Sequence, residues 1–279
     1  MSDQISGKKN KNRRRFPIFL LLAVLFIFLI RLSLYDGIVV RTYSVVSEKA
    51  DRDYSFALIT DLHSCMYGDD QSEILEIIEK HSPDAVFLVG DIADDRDGAD
   101  GAAKLTGQIA RLYDCYYATG NHERWVEYTD DIKEIFRTQG AVVLDDPASF
   151  VEIGSIRLFG IDDPLFYEDT MDYLSTLSGA PVSDVFFNLL LAHRPELFQH
   201  YAELGFDLTL SGHAHGGQIR LPFIMNGLYA PNQGWLPKYA GGLYEQGGSS
   251  LIVSRGLMRN ELPRVFNPPE ICIINIKRP

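Results

Sequence analysis

The sequence predicts an α/β protein built on one mixed sheet or two packed sheets. Short apolar runs alternate with amphipathic helical segments through the first half of the chain, strand-like runs cluster later, and polar residues with chemical potential gather where the apolar runs stop.

Ser55–Thr60 (SFALIT) has the length and composition of a buried strand. Gln71–His81 carries Ile74, Leu75, Ile77 and Ile78 at helical spacing, and Ala85–Val89 is again a strand. Ala102–Leu112 reads as a helix, Tyr116–Thr119 as a strand, and Trp125–Gln139 as a helix with Ile132, Ile135 and Phe136 on one face. Ala141–Leu144, Phe150–Ile153 and Ile156–Ile161 are successive strands. Phe186–Ala192 and Leu208–Ser211 bracket a helix at Pro195–Leu204, and Ser250–Ser254 and Ile271–Ile276 are strands. The Gly/Pro-rich stretch 216–248 reads as a long loop region beside the site. Its aromatic residues Phe223, Tyr229, Trp235, Tyr239 and Tyr244 read as packing, with an apolar lip for a lipid or nucleoside as the alternative.

Ahead of this body lies a different kind of sequence. Phe16–Ile30 is fifteen residues without a charge, Arg31 interrupts, and Leu32–Tyr35 continue the apolar stretch. That total approaches the ~20 residues a spanning helix needs, and no small-residue cleavage site follows it. The expected organisation is a basic cytoplasmic tail (1–15), a transmembrane anchor (16–35), a linker (36–52) and a catalytic domain (53–279). The preceding KKNKNRRR cluster places the N-terminus in the cytoplasm and the body outside.

The charge is strongly divided. The whole chain carries −12, yet its first 35 residues hold seven Lys or Arg against one Asp, which leaves −18 on the body. Such a body is a poor partner for long nucleic acids, whose affinity comes from phosphate neutralisation, so no stable nucleic-acid partner is expected. It suits a surface that recruits cations. Three cysteines (Cys65, Cys115 and Cys272) at distant positions exclude both a disulfide scaffold and a zinc ribbon.

The chemistry sits in five boxes: TDLHS (Asp61, His63), GDIADD (Asp91, Asp94), GNHE (Asn121, His122), LLAHRPE (His193) and SGHAHGGQ (His213, His215). In an open α/β sheet, ligands bind beyond the carboxyl ends of strands, so five boxes delivered to that edge can converge. Residues two apart on an extended segment face the same side, which suits Asp61/His63 and His213/His215. Gly90, Gly120 and Gly212 precede ligands, where the chain turns and backbones approach closely. Imidazole and oxygen donors without thiolate suit Mn, Fe, Zn or Ni. The donors are too many for one tetrahedral ion and enough for two. Asp91, directly after Gly90, is the natural bridge. His81 and His200 lie outside every box; His81 reads as a helix C-terminal residue favourable to the helix dipole and His200 as a surface helix residue.

This ordered set of DxH, GDxxD, GNHE, a lone His and GHxH resembles the calcineurin-like metallophosphoesterase superfamily. The later GHAHGGQIRLP, VSRGL and LPRVFNPPEI resemble its membrane-anchored bacterial subfamily. The resemblance implies a sandwich of two mixed β-sheets flanked by helices, preceded here by one transmembrane helix. It also implies two divalent metal ions: Asp61, His63 and His215 on the first, Asn121, His193 and His213 on the second, with Asp91 bridging. His122 is then a non-ligand that stabilises or protonates the leaving group, with Asp94 hydrogen-bonded to it. The reaction implied is attack on phosphorus by a hydroxide bridging two cations. The substrate is a phosphorylated small molecule or lipid, with a nucleotide-diacylglucosamine pyrophosphate as one family precedent. A nuclease, a cyclic-nucleotide phosphodiesterase and a non-catalytic metal-binding scaffold are the alternatives. Many superfamily members carry Arg directly after GDxxD. Here Asp95 stands there and Arg96 follows, so Arg124 or Arg255, with Arg194 as a further candidate, is expected to supply the phosphate-binding cation. Asp94, Asp95, Asp97 and Asp100 do not match a calcium loop, because Gly98 is misplaced and the final Glu is missing.

Overall fold

The computed structural model describes residues 10–94, 98–125, 129–259 and 263–279, with the backbone alone for 10–16 and 129–131. Asp95, Arg96 and Asp97, and most of the basic tail, lie outside the described residues. In chain order the elements are α1 (Asn10–Ser33), β1 (Val39–Val46), β2 (Tyr54–Ile59), α2 (Ser72–His81), β3 (Ala85–Val89), α3 (Asp100–Ala110), β4 (Asp114–Ala118), α4 (Asn121–Trp125), α5 (Thr129–Thr138) and β5 (Val142–Val143). There follow β6 (Val151–Ile153), β7 (Ile156–Gly160), α6 (Thr170–Leu177), β8 (Phe187–Leu191), α7 (Phe198–Glu203), β9 (Leu208–Ser211), β10 (Tyr229–Ala230), β11 (Gly234–Trp235), β12 (Gly242–Gln246), β13 (Ser249–Val253) and β14 (Glu270–Lys277).

Two six-stranded sheets form the body, in the orders β1-β14-β2-β3-β4-β5 and β12-β13-β9-β8-β7-β6. Both are mixed: β2 to β5 run parallel with β14 antiparallel to β2, and β7, β8, β9 and β13 run parallel between antiparallel β6 and β12. The period-2 alternation of side chains makes this a layered sandwich. On β2, Phe56 and Leu58 enter the core between the sheets, with Phe87, Phe187, Leu189 and Leu208. Ala57 and Ile59 face the other way, toward Ile74 and Ile78 of α2, Leu105 of α3 and Phe136 of α5. The second sheet is covered on its outer face by Tyr173 of α6 and Tyr201 of α7.

Several expectations need correction. The proposed linker 36–52 contains β1, which pairs in parallel with β14 from Val39↔Glu270 to Val46↔Lys277. Its side chains are only partly buried, so no hydrophobic run marked it. The single helix expected over Trp125–Gln139 is two, α4 and α5, with 126–128 outside the described residues. The helix at Pro195–Leu204 begins as a 3₁₀ turn, Pro195–Leu197, where Pro195 supplies no amide to the helix. The long loop holds the β10–β11 hairpin and β12. Its aromatic residues divide. Tyr239 packs in the core with half-buried Tyr244, whereas Phe223, Tyr229 and Trp235 are exposed. Cys115 and Cys272 are buried in separate cores, and none of the three cysteines is in a disulfide.

Among the described residues, no helix is long and apolar enough to cross a membrane. The uncharged run stops after fifteen residues at Arg31, and α1 ends at Ser33 instead of reaching Tyr35. Its apolar side chains, from Ile18 to Leu32, stand largely exposed.

Candidate metal centre

All five boxes follow parallel strands at their carboxyl ends: β2, β3 and β4 in the first sheet, β8 and β9 in the second. Backbone bonds stitch the loops together. Asp61 N–H donates to Gly90 O at 3.0 Å, His63 N–H to Asp91 O at 2.9 Å, and Gly212 N–H to His193 O at 3.2 Å. The two sheets meet where His213 N–H donates to Asp61 Oδ1 at 2.9 Å.

The i, i+2 pairs are not extended, as the sequence had suggested. Asp61 (φ 49°), His63 (φ 49°), Asp91 (φ 52°), His213 (φ 66°) and His215 (φ 46°) all adopt left-handed backbone. Non-glycine residues hold that conformation at a cost of order 1–3 kcal/mol each and cluster where function demands it. The turns send His213 and His215 to different places. Asp61, His63, Asp91 and His215 form one cluster, and Asp91, His193 and His213 another, each with donor atoms within 4.8 Å of one another. Asp91 alone belongs to both.

A buried polar atom without a hydrogen-bond partner occurs on every one of the seven side chains predicted as ligands. The atoms are Asp61 Oδ2, His63 Nε2, Asp91 Oδ2, Asn121 Oδ1, His193 Nε2, His213 Nδ1 and His215 Nδ1. Buried polar groups are normally satisfied, so this concentration fits an oxygen- and imidazole-ligated pair of divalent cations. On Asp61, His63, Asp91, His193 and His213 the other polar side-chain atom is hydrogen-bonded, which fixes orientation. His193 Nδ1 is 3.1 Å from Val89 O, Asp91 Oδ1 accepts the His122 amide at 2.8 Å, and His213 Nε2 lies 2.8 Å from Asn232 Oδ1.

Burial alone would lower the pKa of His63 and His193, but neighbouring carboxylates outweigh it. Asp94, Asp91 and Asp61 raise His63, and Asp91 with Asp61 raises His193 to about 10. Burial would raise the Asp91 carboxyl, yet His193 and His63 hold it well below its ordinary range. His213 and His215 are lowered, mainly by burial, His215 to about 4. His213 and His215 are thus neutral donors at pH 7, whereas His193 must release a proton to ligate and His63 holds its proton to higher pH than an ordinary imidazole. Manganese affinity should therefore rise as pH increases from 6 toward 9, with about one to two protons released per protein. Proton release into a weakly buffered solution during metal titration measures this. A pH-independent affinity would contradict it.

Close packing behind the ligands leaves no room for side chains at the preceding glycines. Gly90 has φ +71°, and a β-carbon there would lie 2.1 Å from His193 Nδ1. Gly90→Ala should destabilise the fold by more than about 1 kcal/mol and displace His193. Thermal unfolding and metal content read the two effects.

Three positioning groups escaped the sequence reading. Glu123 is wholly buried and accepts four backbone amides: Asp91 at 2.9 Å, Ile92 at 2.7 Å, Ala93 at 3.1 Å and Gly120 at 2.7 Å. Burial and the Asp91 charge push its carboxyl up to about 7, against the pull of those amides. Its signal was present as the last letter of GNHE. Asp163 holds Arg194 in a two-point ion pair, at 2.5 and 2.9 Å, and Arg194 Nη1 donates to Asn232 Oδ1 at 2.5 Å beside His213. Asn267 Nδ2 donates to His215 O at 2.7 Å, which gives the NPPE segment a role in holding the His215 turn.

Asp94 faces two imidazoles. Its Oδ2 lies 2.7 Å from His63 Nδ1 and 3.5 Å from His122 Nδ1. The shorter contact goes to the ligand imidazole, turning His63 Nε2 toward Asp91. His122, partly exposed, sits over the centre with its ring centroid 4.4 Å from that of His63 and 4.7 Å from that of Trp125.

The two candidate phosphate-binding arginines have different surroundings. Arg124 is exposed on α4, 5.9 Å from the Phe166 ring centre. Arg255 is buried against Glu270, with Nε 3.3 Å from Oε2, and lines a different cavity. Arg194 is the buried arginine that touches a predicted ligand, His213, at 2.9 Å. A cavity of about 410 Å³ opens beside it, lined by Leu165, Tyr167, Glu196 and Asn232 among others. His81 caps the end of α2 through Ile77 O at 2.8 Å, and His200 is exposed near Glu203.

Comparison with known proteins agrees with this geometry. The family model for calcineurin-like phosphoesterase matches residues 54–217. An uncharacterized metallophosphoesterase of Campylobacter jejuni is 30% identical over 98% of this chain and 74% of its own length. The uncharacterized metallophosphoesterase YkuE of Bacillus subtilis is 30% identical over 75% of this chain and 73% of its own. A Danio rerio protein described as a transmembrane protein with metallophosphoesterase domain is 29% identical over 67% of this chain and 47% of its own length. The matched segment begins with β2 and runs through the His213/His215 turn, the same stretch that carries all seven predicted donors, and the chain thus belongs to the calcineurin-like phosphoesterase family and is a metal-dependent phosphoesterase.

Proposed function

We propose that this protein is a membrane-attached phosphohydrolase with two divalent ions, cleaving a phosphoester or pyrophosphate bond in a lipid-linked or envelope substrate. The single observation that carries the dinuclear reading is the set of six side chains with buried donor atoms lacking a hydrogen-bond partner, divided between two clusters that share Asp91, with Asn121 Oδ1 likewise left without a partner. Asp61, His63, Asp91 and His215 would hold one ion, and Asp91, Asn121, His193 and His213 the other. Bound there, two divalent cations supply an acidified water, its pKa drawn from ~16 toward ~7, and neutralise phosphoryl charge.

The chain's own residues do the rest. Glu123 fixes the Asp91 turn, so the bridging carboxylate needs no reorganisation during turnover. Asp94 and Val89 O orient two ligand imidazoles. His122 stands at the mouth, where its imidazole can donate a proton to the departing oxygen. The cavity beside Arg194 and Asn232 receives the group beyond the scissile bond. Arg194, already neutralised by Asp163, orients substrate more than it adds charge.

Attachment through α1 is supported by its exposed apolar side chains and by the basic cluster that precedes them. The transmembrane description of the Danio rerio relative agrees with it. We infer a cytoplasmic N-terminus and an extracytoplasmic catalytic domain. Tethering raises the local concentration of a membrane-borne substrate.

The test is hydrolysis of a chromogenic phosphodiester, a phosphomonoester and a lipid pyrophosphate by the manganese-loaded full chain. Turnover of the lipid pyrophosphate above the other two is the expected result. Preference for the monoester would redirect the substrate class. Protease treatment of intact cells should degrade the body; a protected body would reverse the topology.

A further inference from the structure

A second cavity, of about 470 Å³, lies apart from the metal donors and carries a different chemistry. Its lining includes Arg41 from β1, Arg220 from the loop after His215, and Arg255 just after β13. Two of these guanidinium groups are crowded. A β-carbon on Gly241 would lie 3.0 Å from Arg255 Cγ and 3.2 Å from Arg220 Nη1, so the absence of a side chain there lets both in. One carboxylate, Glu270, offsets them, and it is already engaged by the Arg255 amide at 2.9 Å and by Arg255 Nε at 3.3 Å. Arg220 spends Nη2 on the Asn226 side chain, whereas its Nη1 is buried without a hydrogen-bond partner. Burial and the nearby Arg255 lower the Arg220 pKa to about 10, which still leaves it charged at pH 7. A buried cationic donor without an acceptor is costly, and an entering anion removes that cost.

The rim of this cavity is apolar. Phe223 and Ile224 project from the loop Leu221–Asn226 and are almost wholly exposed. The floor touches the foot of α1: Phe266, which lines the cavity, donates its amide to the carbonyl of Ser33 at 2.7 Å. Cationic depth, apolar lip and position at the end of an exposed apolar helix coincide at one place.

We propose that this cavity binds a phosphate-bearing anionic lipid headgroup, with Arg220 and Arg41 gripping the phosphate and Phe223 and Ile224 entering the acyl region. Guanidinium groups match phosphate oxygens in two-point geometry. The assignment rests on the membrane attachment proposed above only for where the headgroup comes from. The pocket would hold the catalytic body against the bilayer in a fixed orientation, independent of turnover.

The experiment uses the full chain in a non-ionic maltoside detergent, so that helix insertion is not what is measured. Dihexanoyl phosphatidylglycerol, dihexanoyl phosphatidylcholine and inorganic phosphate are titrated by calorimetry into wild type, Arg220→Gln, Arg41→Gln and Phe223→Ser/Ile224→Ser. The expected result is phosphatidylglycerol binding at least about ten-fold tighter than phosphatidylcholine, and weakened about ten-fold by Arg220→Gln. Phe223→Ser/Ile224→Ser should weaken the lipid but not inorganic phosphate. Hydrolysis of the chromogenic phosphodiester should stay unchanged in all three variants, which shows that they fold and separates this result from failure of the catalytic reading. Equal affinity for the two lipids, or phosphatidylglycerol binding insensitive to both arginine variants, overturns the proposal. Inorganic phosphate binding as tightly as phosphatidylglycerol, with Arg220 dependence and no effect of the apolar variant, overturns the lipid assignment.

Discussion

Asp91→Ala is expected to abolish hydrolysis and to remove both metal ions together. Asp91 is the one side chain common to the two donor clusters, and it is 1% exposed, so water has little access to take its place. It also has structural duties. Its Oδ1 accepts the His122 amide, and its charge supports the protonated forms of His63 and His193. Removing it takes away the carboxylate common to both imidazoles, leaving His63 with Asp94 and Asp61 and His193 with Asp61, and a cavity between them. Destabilisation of the metal-free protein by about 1–3 kcal/mol should accompany the loss of metal. Elemental analysis, turnover and thermal unfolding on one preparation distinguish the effects. Retention of two ions per chain in a folded Asp91→Ala protein would rule out the bridging assignment.

His122→Ala is expected to behave in the opposite way toward metal. The backbone amide of residue 122 donates to Asp91 Oδ1 at 2.8 Å, and alanine keeps that amide. The lost imidazole sat between His63 and Trp125, at the exposed edge of the site. Both ions should remain while turnover falls by about 10²–10⁴, the usual worth of a positioned general acid. The deficit should shrink for substrates whose leaving groups need no proton, such as nitrophenolate. Metal loss in His122→Ala, or an equal deficit for all leaving groups, would move His122 out of the acid role.

A gentler variant tests the support beneath them. Glu123→Gln keeps the size of the side chain but replaces a carboxylate by an amide that accepts through one oxygen only. Four backbone amides now converge on two carboxylate oxygens. Activity and metal affinity should each drop about 10–100-fold, the scale for groups that orient metal ligands. Rescue of activity by excess manganese would show that Glu123 acts by positioning. Failure of rescue with metal fully bound would assign it a different part.

The central architecture and the donors' identities were legible because both reduce to local patterns. Buried strands such as Ala85–Val89 are apolar throughout, and each donor box directly follows one. What the sequence hid depended on long-range geometry. Strand β1 (VVRTYSVV) is rich in β-branched residues, but its polar Arg41, Thr42 and Ser44 break any apolar run and it is held by pairing with the distant β14, so a search for buried apolar runs passes over it. The left-handed turns at Asp61, His63, His213 and His215 cannot be read from spacing, which suggested extended backbone. Glu123 looked like the tail of a motif because its partners are amides, which every sequence supplies. Arg255 looked available until Glu270, fifteen positions later, was found against it.

Strands β1 and β2 are neighbours along the chain but not in space, because β14 lies between them. A chain that has made everything up to β13 therefore possesses a sheet with an unfilled slot, lined by β2 backbone that has no partner on that side. Pairing β2 with β1 directly would close the slot wrongly and bar the later strand. Such incomplete edges are where multistranded proteins aggregate or swap segments. Maturation of this phosphoesterase should accordingly be limited by arrival of its last strand. Shortening the chain within β14 should yield insoluble protein, whereas Phe223→Ser/Ile224→Ser in the exposed loop should leave it soluble.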